Sequence, residues 1–315
     1  MKLKLAFLAA IASAVFTAAQ STPLPSPDSA TFDPAGTTHI TRVIPMPATI
    51  SSEAQKWLAT LAQAKRKPGP EPLADRRART DAWRAQDSAE ALKIYPVKVE
   101  GATVGGVRAD IITPLTDAPT NAETNSTRVL INLHGGGFNS DSGSLIEGVP
   151  IANLAKIKVV SVYYRLAPEN PFPAAVDDVV AVYKELLKTY KPQSIGLFGT
   201  SAGAILTAEV TIRLRQLGLP LPAAVGIFSG LADFSRVGDS RQIFALDGVA
   251  GELHPTDPNH LPDDQYVGKT DRKDPVLSPM FADLHGLPPS LLVTSTRDLL
   301  LSDTAIFHRA LLRSG

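Results

Sequence analysis

The chain contains no cysteine. That excludes disulfides, thiol nucleophiles and cysteine-held metals together, so stability has to come from core burial. It also lacks any excess of charge, with 31 Lys and Arg against 31 Asp and Glu. No net field draws in nucleic acid or anionic lipid. Long hydrophobic runs are missing, with one exception at the N-terminus: Leu5 to Phe16, preceded by Lys2 and Lys4. That run is short for a membrane span, and small residues follow it. Ala12-Ser13-Ala14 and Thr17-Ala18-Ala19 both suit cleavage, so residues 1–19 are predicted to be a signal peptide that exports the protein to the periplasm or the medium. A retained anchor is the alternative. With the segment removed, no stable membrane association is expected.

With 315 residues, 44% hydrophobic and 20% charged, the chain can form one large α/β domain or two modest ones. Residues 20–47 carry many prolines and little periodicity, which reads as an extended tether. Two amphipathic helices are expected next, over 51–64 with Trp57, Leu58 and Leu61 on one face, and over 75–89 with Trp83. They resemble a lid ahead of the core or a solvated arm, and residues 20–93 are grouped on that basis. From residue 94 strands begin. "IYPVKVE" and "VRADIIT" suit an antiparallel start to the sheet. "RVLINLH", "KVVSVYY", "SIGLFG", "AVGIFS" and "SLLVTS" are continuous apolar runs suited to strands covered on both faces. Helical patterns at 174–188 and 202–217 alternate with them, which implies a doubly wound, mostly parallel α/β sheet over 94–315. A long insertion, 232–274, interrupts that rhythm and is expected to cap a site.

Three stretches fall after strand ends, where open α/β sheets bind their ligands. In "LHGGGF" the glycines bring the backbone close to a ligand and turn N–H groups toward it. Those donors suit the oxyanion of a tetrahedral ester intermediate. A phosphate loop is the alternative, but no Lys-Ser/Thr pair follows. His134 reads as a residue that holds this loop. In "GLFGTSAGAIL", Ser201 stands with glycines two positions to either side. It is either a helix-capping serine in a glycine-rich turn or the nucleophile of a strained elbow, with the Ala202 N–H joining the oxyanion donors. In "VTSTRDLLLSD", Asp298 is placed to orient a histidine, or else to form a turn or an ion pair with Arg297. Asp303 belongs to the first turn of the next helix.

The ordered set "HGGGF", "YRLAPENPFPAAVDD", "GTSAG", "DPVLSPMFADLHGLPPSLLV" and Asp298 resembles the hormone-sensitive-lipase-like esterases, bacterial family IV of the α/β-hydrolase fold. The likeness runs from about residue 40 to the C-terminus. It implies an α/β-hydrolase fold with a helical cap, a serine carboxylesterase acting on small ester molecules, and no metal or organic cofactor. By position it makes Ser201 the nucleophile, Asp298 the triad acid, and the N–H groups of Gly136, Gly137 and Ala202 the oxyanion hole.

One member of the family's set is missing from the sequence given. The triad order in this fold is serine, acid, histidine, yet the only histidine after Asp298 is His308, in a helical pattern. His285 precedes a strand, and His254 and His260 fall in the insertion. The last strand, the histidine loop and the final helix of the family are thus expected to be absent from this 315-residue form, which is expected to hydrolyse little. Either a normal esterase is expected to continue past Gly315, or the chain is an inactive hydrolase that binds a small molecule.

Overall fold

The computed structural model describes residues 28–42, 45–63, 71–115, 127–141, 143–244 and 264–315. The signal-peptide segment, His254, His260 and the middle of the 232–274 insertion lie outside the described residues. The chain forms two compact units, one up to Thr60 and one from Leu61.

In the first unit, strands β1 (Ser29–Phe32) and β2 (Thr38–Thr41) pair antiparallel. Here the expected tether is replaced by a hairpin. Its turn, Asp33-Pro34-Ala35-Gly36, has local causes: the Asp33 carboxylate accepts the Ala35 and Thr37 N–H groups, and Gly36 takes a φ of +84°. Both strands are short and exposed on both faces, so neither shows the alternation that marks a strand in sequence. Helix α1 (Ser52–Gln63) follows, with the Ser51 hydroxyl accepting the Ala54 N–H at its start. Leu58 is buried as expected. Trp57 is 59% exposed and does not share that burial.

The second unit opens with α2 (Leu73–Ile94), longer at both ends than the sequence pattern shows. Its buried residues are Thr80 and Ser88, and Trp83 is 44% exposed. Its apolar contact with the core comes instead from Ala91 and Leu92 near its C-terminal end, where an aromatic face was expected. The sheet is built from β3 (Val97–Val104), β4 (Val107–Pro114), β5 (Val129–Leu133), β6 (Lys158–Val162), β7 (Ile195–Thr200), β8 (Ala224–Phe228) and β9 (Ser290–Val293). Their spatial order is β3-β4-β6-β5-β7-β8-β9. The first two are antiparallel to their neighbours, and β6, β5, β7, β8 and β9 run parallel.

Helices α3 (Ser144–Ala155), α4 (Ala174–Leu186) and α5 (Ala202–Gln216) make the crossovers. The central strands read as unbroken apolar runs because both faces are covered: in β5, Val129, Ile131 and Leu133 have no exposed surface, and neither does the polar Asn132. Two short helices, α6 (Asp239–Phe244) and α7 (Asp264–Val267), lie within the insertion, and α8 (Leu301–Arg313) follows β9. Asp303 occupies the first turn of α8, as its position in sequence indicates. Among the described residues no helix is long and apolar enough to cross a membrane.

Candidate active site

Because β5, β7, β8 and β9 are parallel neighbours, their carboxyl ends share one edge of the sheet. The loop Gly135–Gly137 leaves β5, Ser201 leaves β7, and Asp298 lies just beyond β9. Topology alone thus gathers the three motifs that the sequence singles out.

At Ser201 the backbone takes φ +56° and ψ −120°, a conformation rare for a residue with a side chain. Its N–H donates to the Phe228 carbonyl at 3.0 Å, and its carbonyl accepts from Ala204 and Ile205, which starts α5. The hydroxyl makes no capping hydrogen bond. The capping role is therefore not taken up at the start of α5. The flanking glycines have a steric cause. A Cβ on Gly199 would strike the Leu133 carbonyl and Gly203, and one on Gly203 would strike the Leu133 and His134 carbonyls. Strand β5 and the start of α5 are packed backbone against backbone here, so a side chain at either glycine is excluded.

The glycine loop is similarly constrained. Gly136 has φ +114° and Gly137 +60°, and a Cβ on Gly136 would overlap the Ser140 carbonyl. The Gly136 carbonyl accepts the Asn139 and Ser140 N–H groups. Among the described residues, the N–H groups of Gly136, Gly137 and Ala202 have no acceptor. Unused donors at a helix N-terminus and a glycine loop are suited to stabilise a developing oxyanion.

His134 is 1% exposed, its Nδ1 is 2.8 Å from the Gly135 carbonyl, and its ring stacks on Tyr164 with centroids 4.1 Å apart. Burial pulls the imidazole below its ordinary pKa, which keeps it neutral. It is therefore a structural part of the loop. The Tyr164 hydroxyl donates to the His134 carbonyl at 2.6 Å, and the Ala167 N–H donates to the Phe138 carbonyl at 2.8 Å. The "YRLAPENPFPAAVDD" stretch thus supports the glycine loop from beneath, with Arg165 tied to Asp178 at 2.8 Å.

Sequence reasoning missed the contribution of α2. The Arg77 guanidinium donates to the Asn139 and Ala167 carbonyls and to both oxygens of Glu169. Arg84 pairs with Asp141 at 2.6 Å. Burial alone would raise the Asp141 pKa, but the Arg84 charge and the hydrogen bonds from Ser144 hold it below its ordinary value. Asp141 in turn accepts the Gly143 and Ser144 N–H groups and so shapes the entry to α3. The far end of the insertion also reaches this loop, for Tyr266 stacks on Phe138 with ring centroids 3.5 Å apart. The partners of Arg77, Arg84 and Tyr266 do not follow from local sequence, since each of those pairings crosses tens of residues.

Asp298 is half-buried in the turn between β9 and α8. One carboxylate oxygen accepts the Thr294 hydroxyl at 2.7 Å and the other accepts the Leu300 N–H at 2.9 Å. No described histidine stands in the place of a base. His285 sits before β9, at the opposite end of the strand from Asp298, with Nδ1 2.9 Å from the Ser314 carbonyl. His308 is exposed in the middle of α8. His39 is exposed on β2, 3.8 Å from Asp33.

The family profile of the alpha/beta hydrolase fold matches residues 130–315. Among curated proteins, an acetyl-hydrolase of Streptomyces hygroscopicus is 33% identical over 74% of each chain. An esterase of Acinetobacter venetianus is 30% identical over 67% of this chain and 68% of its own. Among solved structures, esterase E25 superposes with a TM-score of 0.70 at 33% identity, covering 87% of this chain and 85% of its own. An esterase of the bacterial hormone-sensitive lipase family gives 0.64 at 30% identity, over 85% and 86%. The chain belongs to the α/β-hydrolase fold family, in its hormone-sensitive-lipase-like branch.

Proposed function

We propose that this hydrolase cleaves carboxylic esters of short to medium acyl chains through an acyl-enzyme on Ser201. The observation that carries the reading is the presented Ser201 side chain at a positive φ, with the unused N–H groups of Gly136, Gly137 and Ala202 on the flanking loops. In the proposed reaction the Ser201 hydroxyl adds to the ester carbonyl while a base takes its proton. The three N–H groups hold the oxyanion, the alcohol leaves with a proton returned to it, and water then releases the acid. Asp298 is the carboxylate that would orient an imidazole base and stabilise its charged form, in a form of the protein that supplies the triad histidine. The relatives' names, acetyl-hydrolase and esterase, support this class of substrate. The signal-like N-terminus supports action outside the cytoplasm.

An acyl pocket gains about 0.8 kcal/mol per buried CH₂ until it is full. In a form of the protein that supplies the triad histidine, hydrolysis of p-nitrophenyl esters from acetate to palmitate is expected to peak near butyrate or hexanoate. Ser201→Ala is expected to abolish it by at least about a thousandfold while the protein stays folded. Unchanged hydrolysis in Ser201→Ala overturns the nucleophile assignment, and a steady rise to palmitate overturns the chain-length assignment. Saturable binding of the ester with no turnover at all would make the site a binding site.

A further inference from the structure

The described start of the insertion is fastened to the turn that carries Asp298. In the first turn of α6 the Ser240 N–H donates to the Ser302 hydroxyl at 2.9 Å. In the first turn of α8 the Ser302 N–H donates in return to the Ser240 hydroxyl, also at 2.9 Å. Each serine thus satisfies an N–H that has no partner within its own helix. The Ser240 hydroxyl still has a proton to give, and it donates to the Leu299 carbonyl at 2.9 Å. Ser240 is buried, so water has little access to these bonds. The fit around the pair is close, since a Cβ on Gly238 would strike the Asp303 carboxyl on α8.

The Leu299 carbonyl belongs to the same peptide group as the Leu300 N–H, which donates to the Asp298 carboxylate at 2.9 Å. A single rigid plane therefore separates Ser240 from Asp298. We infer that Ser240 is a positioning residue for ester cleavage, clamping the Leu299–Leu300 peptide so that its N–H stays aimed at Asp298. This rests on the reading of Asp298 as the triad acid. Held by its carbonyl, the peptide cannot turn out of line with the carboxylate. A hydrogen bond accepted by the carbonyl also polarises the amide and strengthens its N–H as a donor. Asp298 is then steered on one oxygen by the Thr294 hydroxyl and on the other by the insertion, acting through the peptide. The insertion thereby reaches the acid without touching it.

A brace that only joined α6 to α8 would use the same two serines. The roles differ in which side chain matters. Ser302→Ala removes one bond of the pair and leaves the Ser240 hydroxyl on Leu299, whereas Ser240→Ala removes that hydroxyl. In the 315-residue chain, Ser240→Ala is expected to move the Leu300 amide proton resonance upfield. It is also expected to speed exchange of that proton with solvent about fivefold. Ser302→Ala is expected to leave both nearly unchanged. These readouts need no turnover.

In a form of the protein that supplies the triad histidine, Ser240→Ala is expected to lower kcat about fivefold at unchanged KM. Ser240→Thr, which keeps the hydroxyl, and Ser302→Ala are each expected to stay within about twofold of wild type. If Ser240→Ala yields no folded protein, Ser240→Cys is read in its place, being close in volume and a weaker donor. Asp298→Asn is measured alongside. A wild-type rate in Asp298→Asn overturns the acid assignment, and the role of Ser240 falls with it. A silent Asp298→Asn beside a wild-type kcat in Ser240→Ala overturns the role of Ser240 alone, as does an unmoved Leu300 amide. Equal losses in Ser302→Ala and Ser240→Ala would make the contact a general brace and overturn it as well.

Discussion

In the turn after β7 the chain leaves no room for side chains at Gly199 and Gly203, and carbonyl groups of β5 and its loop fill the space they would occupy. In the turn after β9 the neighbours of Asp298 are mostly exposed, and two hydrogen bonds, from Thr294 and Leu300, fix the carboxylate. The strand that carries it is also open: Leu291 is 60% and Val293 48% exposed on β9, which pairs only with β8 among the described residues. One turn is held by backbone packing in the middle of the sheet, the other by side-chain bonds at its edge. A nucleophile on a strained backbone needs surroundings that over-determine it. A carboxylate that orients a partner tolerates a softer setting, because its two oxygens can be steered by local donors.

The comparison predicts that substitutions at the first turn destroy structure, and that substitutions at the second destroy only function. Gly203→Ala should have the largest effect. It forces β5 and α5 apart, with an expected loss of about 3 kcal/mol or more, read as a drop in the chemical-denaturation midpoint or as failure to recover folded protein. A Gly203→Ala protein of wild-type stability would mean that the elbow is looser than its packing indicates.

In a form that supplies the triad histidine, Asp298→Asn should leave the denaturation midpoint nearly unchanged while lowering kcat by about four orders of magnitude. If it unfolds the protein, the two turns are alike after all. Thr294→Val removes one of the two bonds to the carboxylate and should lower kcat roughly three- to tenfold with little change in KM. That milder result would sharpen the view of this turn as steered by its side chains. His308→Ala, on the exposed face of α8, is expected to change neither stability nor rate. A large loss of rate there would make His308 the base and redraw the site.

Several features could be read directly from the residues because they have local causes. The strands from β5 to β8 show as apolar runs because both faces of each are covered. The glycines around Ser201 and in the loop after β5 show because only glycine fits where backbones touch or φ is positive. The hairpin at 29–41 was hidden, since it buries nothing and so leaves no pattern beyond its Asp-Pro-Ala-Gly turn. Trp57 and Trp83 misled for the opposite reason: helical spacing sets which side chains share a face, but not whether anything covers that face.

The sequence by itself determined the fold class, the alternation of strands and helices from residue 94 onward, and the three loops at the carboxyl edge. Each of these follows from residue type and short-range spacing. Only the tertiary structure decided how those loops are held: Arg77 and Arg84 reaching from α2, Tyr164 against His134, and Tyr266 on Phe138. Each of these contacts joins residues far apart in the chain, and the neutral His134 ring owes its state to the burial that such contacts create. Charge state and long-range partnership are properties of a residue's surroundings, and those exist only once the chain has folded.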